Sequence, residues 1–412
     1  MGVDTPADDK ALPEWPEQIV GGKYVRMLEG HLRQLRETDP HGNRRLFCDD
    51  VVIAHLLAFF NPTLKSLRTI EDFSQTRQAR KHLTPRRLCR STLSDFHTLC
   101  QPRVLQPIVD QLRAAARQRR GNAAPAGLPR ELQRLVAVDG SFFGAAADVA
   151  WAVQHCTNTG RKRASVRLDL SLDVVNWTPT ACAVSGAGQS EAEQAIQSIQ
   201  PGAIHIYDRG IFSFDLLAAH AKQQSFFVSR LREAGPRCPK FVADEERPLS
   251  AADRTHGVIS DRVGGMPGSA HRPGPGLRLR EVIISAPDEP GGQIRLITNL
   301  LDIEARHVGI IYRHRWQVEL FFRWLKVFAN FDHLITHSRE GVLLSFYVAV
   351  IGVLLIYLHT DAKPSKYAFS LLSLVAAGGA TLEEITPILR ERERQIAVAR
   401  ARLARKRAEQ AK

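Results

Sequence analysis

A chain of 412 residues with 44% hydrophobic and 24% charged content can bury a sizeable core in more than one domain, and it is not a disordered or low-complexity polymer. Its formal charge of +13 points to a polyanionic partner, nucleic acid first. Cys48, Cys89, Cys100, Cys156, Cys182 and Cys238 are scattered without a C-x-x-C pair, which argues against a zinc ribbon and a disulfide framework and fits a reducing cytoplasm.

The first ten residues carry no apolar h-region, so no signal peptide is expected. Residues 1–20 are polar and proline-bearing and read as a loose arm. From Lys23 to about Arg120 the pattern is helical. Val25, Met27, Leu28, His31 and Leu32 mark one amphipathic helix, and Val51 to Phe60 a more buried one stopped at Asn61-Pro62. A basic run follows (Arg77, Arg80, Lys81, Arg86, Arg87, Arg90), and Ser91 or Thr92 offers an N-cap for a helix through Leu99. Two short helices joined at Thr84-Pro85 inside that cluster suit a DNA-docking unit of helix-turn-helix type. The alternative is a bundle with a charged exterior.

Gly121 to Gly127 is a linker by composition, and beyond it the periodicity turns extended. Leu135-Val-Ala-Val138 reads as a buried strand ending in Asp139-Gly140. Val166, Leu168, Leu170 and Leu172 alternate with Arg167, Asp169, Ser171 and Asp173 as a half-buried strand, and Thr180 to Val184 is a third. Ser190-Glu-Ala-Glu193 is a capping box opening a helix through Ile199. Ala203 to Tyr207 is an apolar strand ending in Asp208-Arg209-Gly210, followed by a helix from about Phe214 and a strand from Ser225 to Ser229. Three strands and then alternating strands and helices, with acids at strand ends, is the order of an α/β RNase H-like fold.

Residues 234–276 hold little periodicity and read as loop or insertion. Leu277–Ser285 and Gln293–Asn299 read as strands, and Asp302 as the cap of the next helix. Gly341 to Leu358 is almost wholly apolar; as a lone segment it reads as a buried core helix rather than a membrane span. The Arg-rich tail from Ile388 suits either a DNA-gripping arm or a solvated helix. The expected organisation is an arm (1–20), a helical DNA-binding domain (21–128), a first core part (129–230), a β-rich insertion (231–299), a second core part (300–362) and a basic helical region (363–412).

At about 100° per residue, Tyr312, Arg315, Glu319 and Lys326 share one helix face, beside an apolar stripe of Ile311, Val318, Phe322 and Leu325. That face suits phosphate and metal, although an exposed helix with an Arg315–Glu319 ion pair has the same spacing. Asp139 and Asp208, each ending an apolar strand, give Glu319 two partners. Phosphodiester cleavage needs an activated oxygen nucleophile and a stabilised leaving oxygen; two Mg²⁺ ions held by carboxylates on rigid elements supply both.

The spacing Y-x2-R-x3-E-x6-K at Tyr312, Arg315, Glu319 and Lys326 resembles the signature of bacterial DDE transposases of the insertion-sequence-four family. Val138-Asp139-Gly140-Ser141 and Tyr207-Asp208-Arg209-Gly210 resemble its two aspartate motifs, and the likeness runs from about residue 48 to 360. The resemblance implies an RNase H-like core interrupted by a β-rich insertion, with Asp139, Asp208 and Glu319 as catalytic metal ligands. It further implies Tyr312, Arg315 and Lys326 on DNA phosphates, with Arg209 and Arg323 as further DNA contacts. Two Mg²⁺ ions (Mn²⁺ as an alternative), double-stranded DNA of the element ends and the target, a homodimer on paired ends and a bacterial cytoplasmic, nucleoid-associated setting follow as expectations. Some members excise through a hairpin using an insertion-domain tryptophan. No Trp lies between residues 178 and 315 here, leaving Phe226, Phe227 or Phe241 as aromatic substitutes. A silent DNA-binding regulator and a nuclease without strand transfer are the alternative functions.

Overall fold

The computed structural model describes residues 28–37, 46–61, 64–83, 87–99, 101–120, 127–144, 153–156, 162–185, 189–232, 238–269, 272–289, 291–327, 335–336, 338–360, 371 and 380–410. The expected arm at 1–20, the Thr84-Pro85 turn and positions 121–126 of the expected linker lie outside them. Five helices lead: α1 (Glu29–Glu37), α2 (Cys48–Phe60), α3 (Leu67–Ser74), α4 (Arg90–Leu99) and α5 (Gln106–Arg120). Helix α2 is apolar nearly all round and therefore buried. At its end Asn61 folds its side-chain amide back onto the Leu57 carbonyl at 2.6 Å. Helix α4 starts earlier than the hydroxyls suggested: Leu93 N–H already bonds to Cys89 O, so Ser91 and Thr92 lie in the first turn instead of capping it.

The sheet strands are β1 (Leu135–Gly144), β2 (Val153–Cys156), β3 (Lys162–Asp173), β4 (Thr178–Ser185), β5 (Ile204–Tyr207) and β6 (Phe226–Arg230). Helices α6 (Glu191–Gln197) and α7 (Phe214–Lys222) precede β5 and β6, and the Ser190 capping box of α6 forms as expected. Strands β1, β3 and β4 are antiparallel neighbours, while β5 and β6 join parallel to β1. The resulting order β4-β3-β1-β5-β6 is RNase H-like, an α/β core with helices on both faces.

Strand β3 departs from the half-buried expectation, since both of its faces are buried from Ser165 to Asp173. Its polar face lies under α6 and is satisfied there. Arg167 bonds Asp169 at 3.0 Å and the Gln189 carbonyl at 2.8 Å, and Ser171 bonds Ser198 at 2.9 Å. Polar alternation signalled the pleat correctly but not the cover.

After β6 come β7 (Val242–Glu246), α8 (Ala251–Thr255), β8 (Val258–Gly265), the short β9 (Gly268–Ser269) and β10 (Arg272–Pro273), β11 (Leu279–Ser285) and β12 (Gln293–Thr298). The stretch read as loop or insertion thus holds two strands of the core sheet, β7 and β8, besides the short pair β9 and β10. β12, β11, β8 and β7 continue antiparallel from β6, so the insertion prolongs the core sheet. β11 and β12 match the expected strands at Leu277–Ser285 and Gln293–Asn299, whereas β8 was hidden because its polar residues pair across the sheet. Buried Arg280 grips Asp261 at 2.7 and 2.8 Å, and Glu281 takes Arg295 and Arg262. Arg280 also donates to the Ile303 carbonyl at 2.5 Å, tying the insertion to the loop that enters helix α9 (Ala305–Arg313). The expected Asp302 cap gives way to Glu304 at the N-cap position, without a side-chain bond. Asp253 of α8 instead accepts from Arg306 N–H at 2.9 Å.

Helices α10 (Trp316–Val327), α11 (Arg339–Thr360) and α12 (Leu382–Gln410) complete the described elements. Helix α11 is the expected buried helix. It packs on α2, α4 and α5 and also on β4, so one continuous core joins the leading helices to the sheet. Gly352 allows its close approach to α2, where a Cβ would stand 2.4 Å from the Phe59 ring. Among the described residues no helix is long and apolar enough to cross a membrane.

Several histidines are buried and held neutral. His55 Nδ1 donates to the Val51 carbonyl, so its Nε2 accepts from His97 Nε2 at 3.0 Å; the Tyr207 hydroxyl stands 2.8 Å from His220 Nε2. Burial lowers His97 to about 3, His205 to about 4 and His220 to about 2. A lowered histidine pKa stabilises fully above the unfolded value and loses that contribution as pH falls. Between pH 6.5 and 5 each of the three is expected to withdraw about 1 kcal/mol of stability per pH unit. Urea midpoints should drop steeply over that window, and a flat profile would contradict this account of the core.

Candidate active site

Register builds the site. In the parallel pairs Val138 stands beside Tyr207 and Tyr207 beside Ser229. The next residues, Asp139, Asp208 and Arg230, therefore form one row across three strands, spaced by about 4.8 Å per strand. Asp208 follows β5 as expected. Asp139 does not end its strand: β1 runs on to Gly144 against β3, and the acid marks where the parallel neighbour stops. Carboxyl ends of parallel strands are where α/β folds place ligands.

Helix α10 brings the third acid. Its buried Val318, Phe321, Phe322 and Leu325 face the sheet, with Phe322 edge-on to Phe143 and Phe321 edge-on to Trp177 at 5.1 Å. Trp177 sits in the β3–β4 turn at φ +54°, a conformation stabilised by this packing. The signature is not one helix. Between Tyr312 and Gln317 the bonds tighten to i→i+3 (His314 to Ile311, Arg315 to Tyr312, Gln317 to His314), so Tyr312 lies on α9, Arg315 in the turn, and Glu319 and Lys326 on α10. Trp316 is 48% exposed at this junction.

The turn gathers the signature residues around the acids. Arg315 bonds Glu319 at 2.6 Å and stands 3.8 Å from Asp139, linking the helix acid to the strand acid. The Tyr312 hydroxyl donates to Asp208 at 3.1 Å. Lys326 reaches further along β1, donating to Ser141 at 2.7 Å and lying 5.0 Å from the centre of the Phe143 ring. Arg209 and Arg323 are exposed. Phe227, one of the possible base-holding aromatics, is fully buried, whereas Phe226 is exposed.

Burial pushes the Asp139 carboxyl up to about 7. Arg315 and the Gly140 N–H oppose the rise, and the charges of Glu319 and Asp208 add to it. On the sheet's other face, Asp169 and Glu191 approach Gly140 so closely that a Cβ there would stand 3.0 and 3.1 Å from their oxygens, which explains the glycine. Burial raises both carboxyls as well.

Among the described residues no three histidines, cysteines or acids converge closely enough to hold a metal ion; Arg315 and Tyr312 engage the acids instead. The donor types nonetheless suit a hard divalent cation: Asp139, Asp208 and Glu319 are three carboxylates on rigid elements, and burial together with the acidic neighbours disfavours the Asp139 charge that a bound cation would stabilise. The sequence reading overlooked Arg230 and Ser141. The strand-end rule that found Asp208 would also have found Arg230, one residue past the Ser225–Ser229 run.

An α/β fold of RNase H-like order with acids at its parallel strand ends defines a class, and the comparisons narrow it. The model of the transposase DDE domain matches residues 130–355, and the chain belongs to that family. It is 24% identical over 227 residues to the probable transposase for insertion sequence element IS5377 of Geobacillus stearothermophilus, covering 55% of this chain and 56% of that one. It is 27% identical over 159 residues to the putative transposase y4zB of Sinorhizobium fredii (strain NBRC 101917 / NGR234), covering 39% and 43%. The chain thus spans about half the length of the curated relatives it matches. Among solved structures, the piggyBac transposase synaptic complex with hairpin DNA, determined by cryo-EM, aligns with a TM-score of 0.38 and 10% identity, covering 90% of this chain and 83% of that one.

A carboxyl raised in the folded state binds its proton more readily than in the unfolded chain. Stability is then lost as pH rises from about 4 to about 7 and stays lost above. Asp139→Asn is accordingly expected to stabilise the metal-free protein at pH 8 by about 2–4 kcal/mol, with the gap closing toward pH 4. Urea denaturation in a chelating buffer checks this; a variant less stable than wild type at pH 8 would refute it.

Proposed function

We propose that this chain is a transposase of the insertion-sequence-four type, which binds the terminal inverted repeats of its element and catalyses Mg²⁺-dependent DNA strand cleavage and strand transfer. The observation that carries the reading is the row of Asp139 and Asp208 on adjacent parallel strands, with Glu319 joined to it through Arg315. In this reading Asp139, Asp208 and Glu319 hold two Mg²⁺ ions, or Mn²⁺ in their place. When bound, the ions supply activation of the attacking oxygen and charge stabilisation of the leaving one.

The chain's own residues do the rest. Arg315 turns its fork from Glu319 to a phosphate of the transposon end, where a bidentate contact fixes orientation as well as charge. Tyr312 donates its hydroxyl, released from Asp208, to the same strand. Lys326, Arg209 and Arg323 add phosphate contacts along the duplex, and α3 and α4 with their basic connection dock the end. Cleaving two ends together calls for a homodimer, and a bacterial cytoplasmic, nucleoid-associated site of action fits a DNA substrate. The domain boundaries expected from the sequence are retained in this reading, with the basic tail as a DNA-gripping or dimerisation element.

Glu319→Gln is expected to keep binding to a duplex carrying the element's end while losing Mg²⁺-dependent nicking by more than about a hundredfold, the loss of a few kcal/mol of transition-state stabilisation. Wild-type nicking by the variant would sink the reading. Offering pre-cleaved ends with a free 3′-hydroxyl separates a transposase, which joins them to target DNA, from a nuclease, which does not.

A further inference from the structure

The third member of the strand-end row has a partner that the catalytic reading does not use. Arg230 ends β6 level with Asp208 and is only 7% exposed. Its guanidinium meets the Glu289 carboxylate in a two-point contact, 3.0 Å to Oε1 and 2.8 Å to Oε2. Glu289 comes from the β11–β12 hairpin tip, a tight turn closed by Glu289 N–H to Ala286 O and Gly292 N–H to Glu289 O, with Gly291 and Gly292 at positive φ. The Arg230 guanidinium lowers the Glu289 carboxyl from its ordinary value against the opposing effect of burial, and the charges of Arg209 and Arg315 add to the lowering. Arg230 in direct contact, and Arg209 and Arg315 through their charges, therefore favour the ionised form of one carboxylate beside the strand-end row.

A simple staple of the hairpin would explain the ion pair, but the hairpin has no need of one. β12 is already bonded to β6 through Leu296 beside Arg230, and Leu231 N–H bonds Arg295 O at 2.9 Å. A carboxylate in two-point contact with a guanidinium has the geometry and charge of a phosphodiester in the same seat. Exchange of one for the other keeps Arg230 paired in both states and removes the desolvation penalty of an empty arginine.

We propose that Glu289 is an affinity-determining residue which occupies the seat of a DNA phosphate in the free protein and is displaced from Arg230 when DNA enters the cleft. The inference rests on reading the cleft as a DNA site, but not on cleavage. Binding to DNA therefore competes with an internal anion, and the hairpin tip moves when the duplex seats.

The experiment is fluorescence anisotropy of a short 5′-phosphorylated duplex of arbitrary sequence, without divalent metal, across a salt series. Glu289→Gln is expected to bind about tenfold more tightly than wild type, with a salt slope steeper by about one, because Arg230 would then release a counterion instead of a carboxylate. Arg230→Gln is expected to weaken binding, and adding Glu289→Gln to it to change nothing further. Glu289→Asp, which keeps the charge on a shorter reach, falls between wild type and Glu289→Gln and guards against a folding defect. Wild-type affinity and slope in Glu289→Gln, or weaker binding, overturns the inference. A chain that shows the expected pattern yet nicks no DNA keeps this inference and defeats the catalytic reading. One that nicks DNA while Glu289→Gln leaves binding unchanged does the reverse.

Discussion

The parallel pairing of β1, β5 and β6 is the constraint on which the rest of the site depends. Its register puts Asp139, Asp208 and Arg230 in one row at the carboxyl edge of the sheet. A slip of one residue in either pair would turn an acid to the wrong face, and burial on both faces of these strands makes such a slip costly. Everything else approaches that row: α10 over one face, α6 beneath the other, and the insertion hairpin from the side. Trp177 and Phe143 fix α10 by edge-on contacts, so the position of Glu319 is set by packing rather than by its own charge.

Electrostatically the site is assembled against its own preference. Three acids share the cleft, and burial holds the Asp139 carboxyl near 7. Arg315 and Tyr312 compensate by engaging the acids they are proposed to leave for DNA and metal. Glu289 does the same for Arg230 from the opposite sign of charge. A cleft that satisfies each charged group internally is stable without ligand, and under the proposed function each group so satisfied is one that the ligand must exchange.

The sequence carried the core well where pattern and burial agree. The apolar runs of β1 and β5, the alternation of β3 and the Ser190 capping box were all legible, because each is dictated within a few residues. Long-range compensation was not. Residues 234–276 read as loop or insertion because the polar residues of β8 find their partners on a strand further along the chain, Asp261 with Arg280 and Arg262 with Glu281. The cap of α9 came from Asp253, about fifty residues away. The break at His314-Arg315 has no glycine or proline to announce it, yet it aims Arg315 at both acids. Of the candidate site, residue identities were readable, whereas the pairings among them, and the place of Arg230 in the row, required the fold.

Binding of Mn²⁺ to the DNA-bound protein, followed by electron paramagnetic resonance, tests the central claim most directly. Wild type is expected to hold protein-ligated Mn²⁺, and Asp139→Asn, Asp208→Asn and Glu319→Gln each to lose it while remaining folded and bound to DNA. Unchanged Mn²⁺ ligation in all three variants would contradict the assignment of those acids to one metal site.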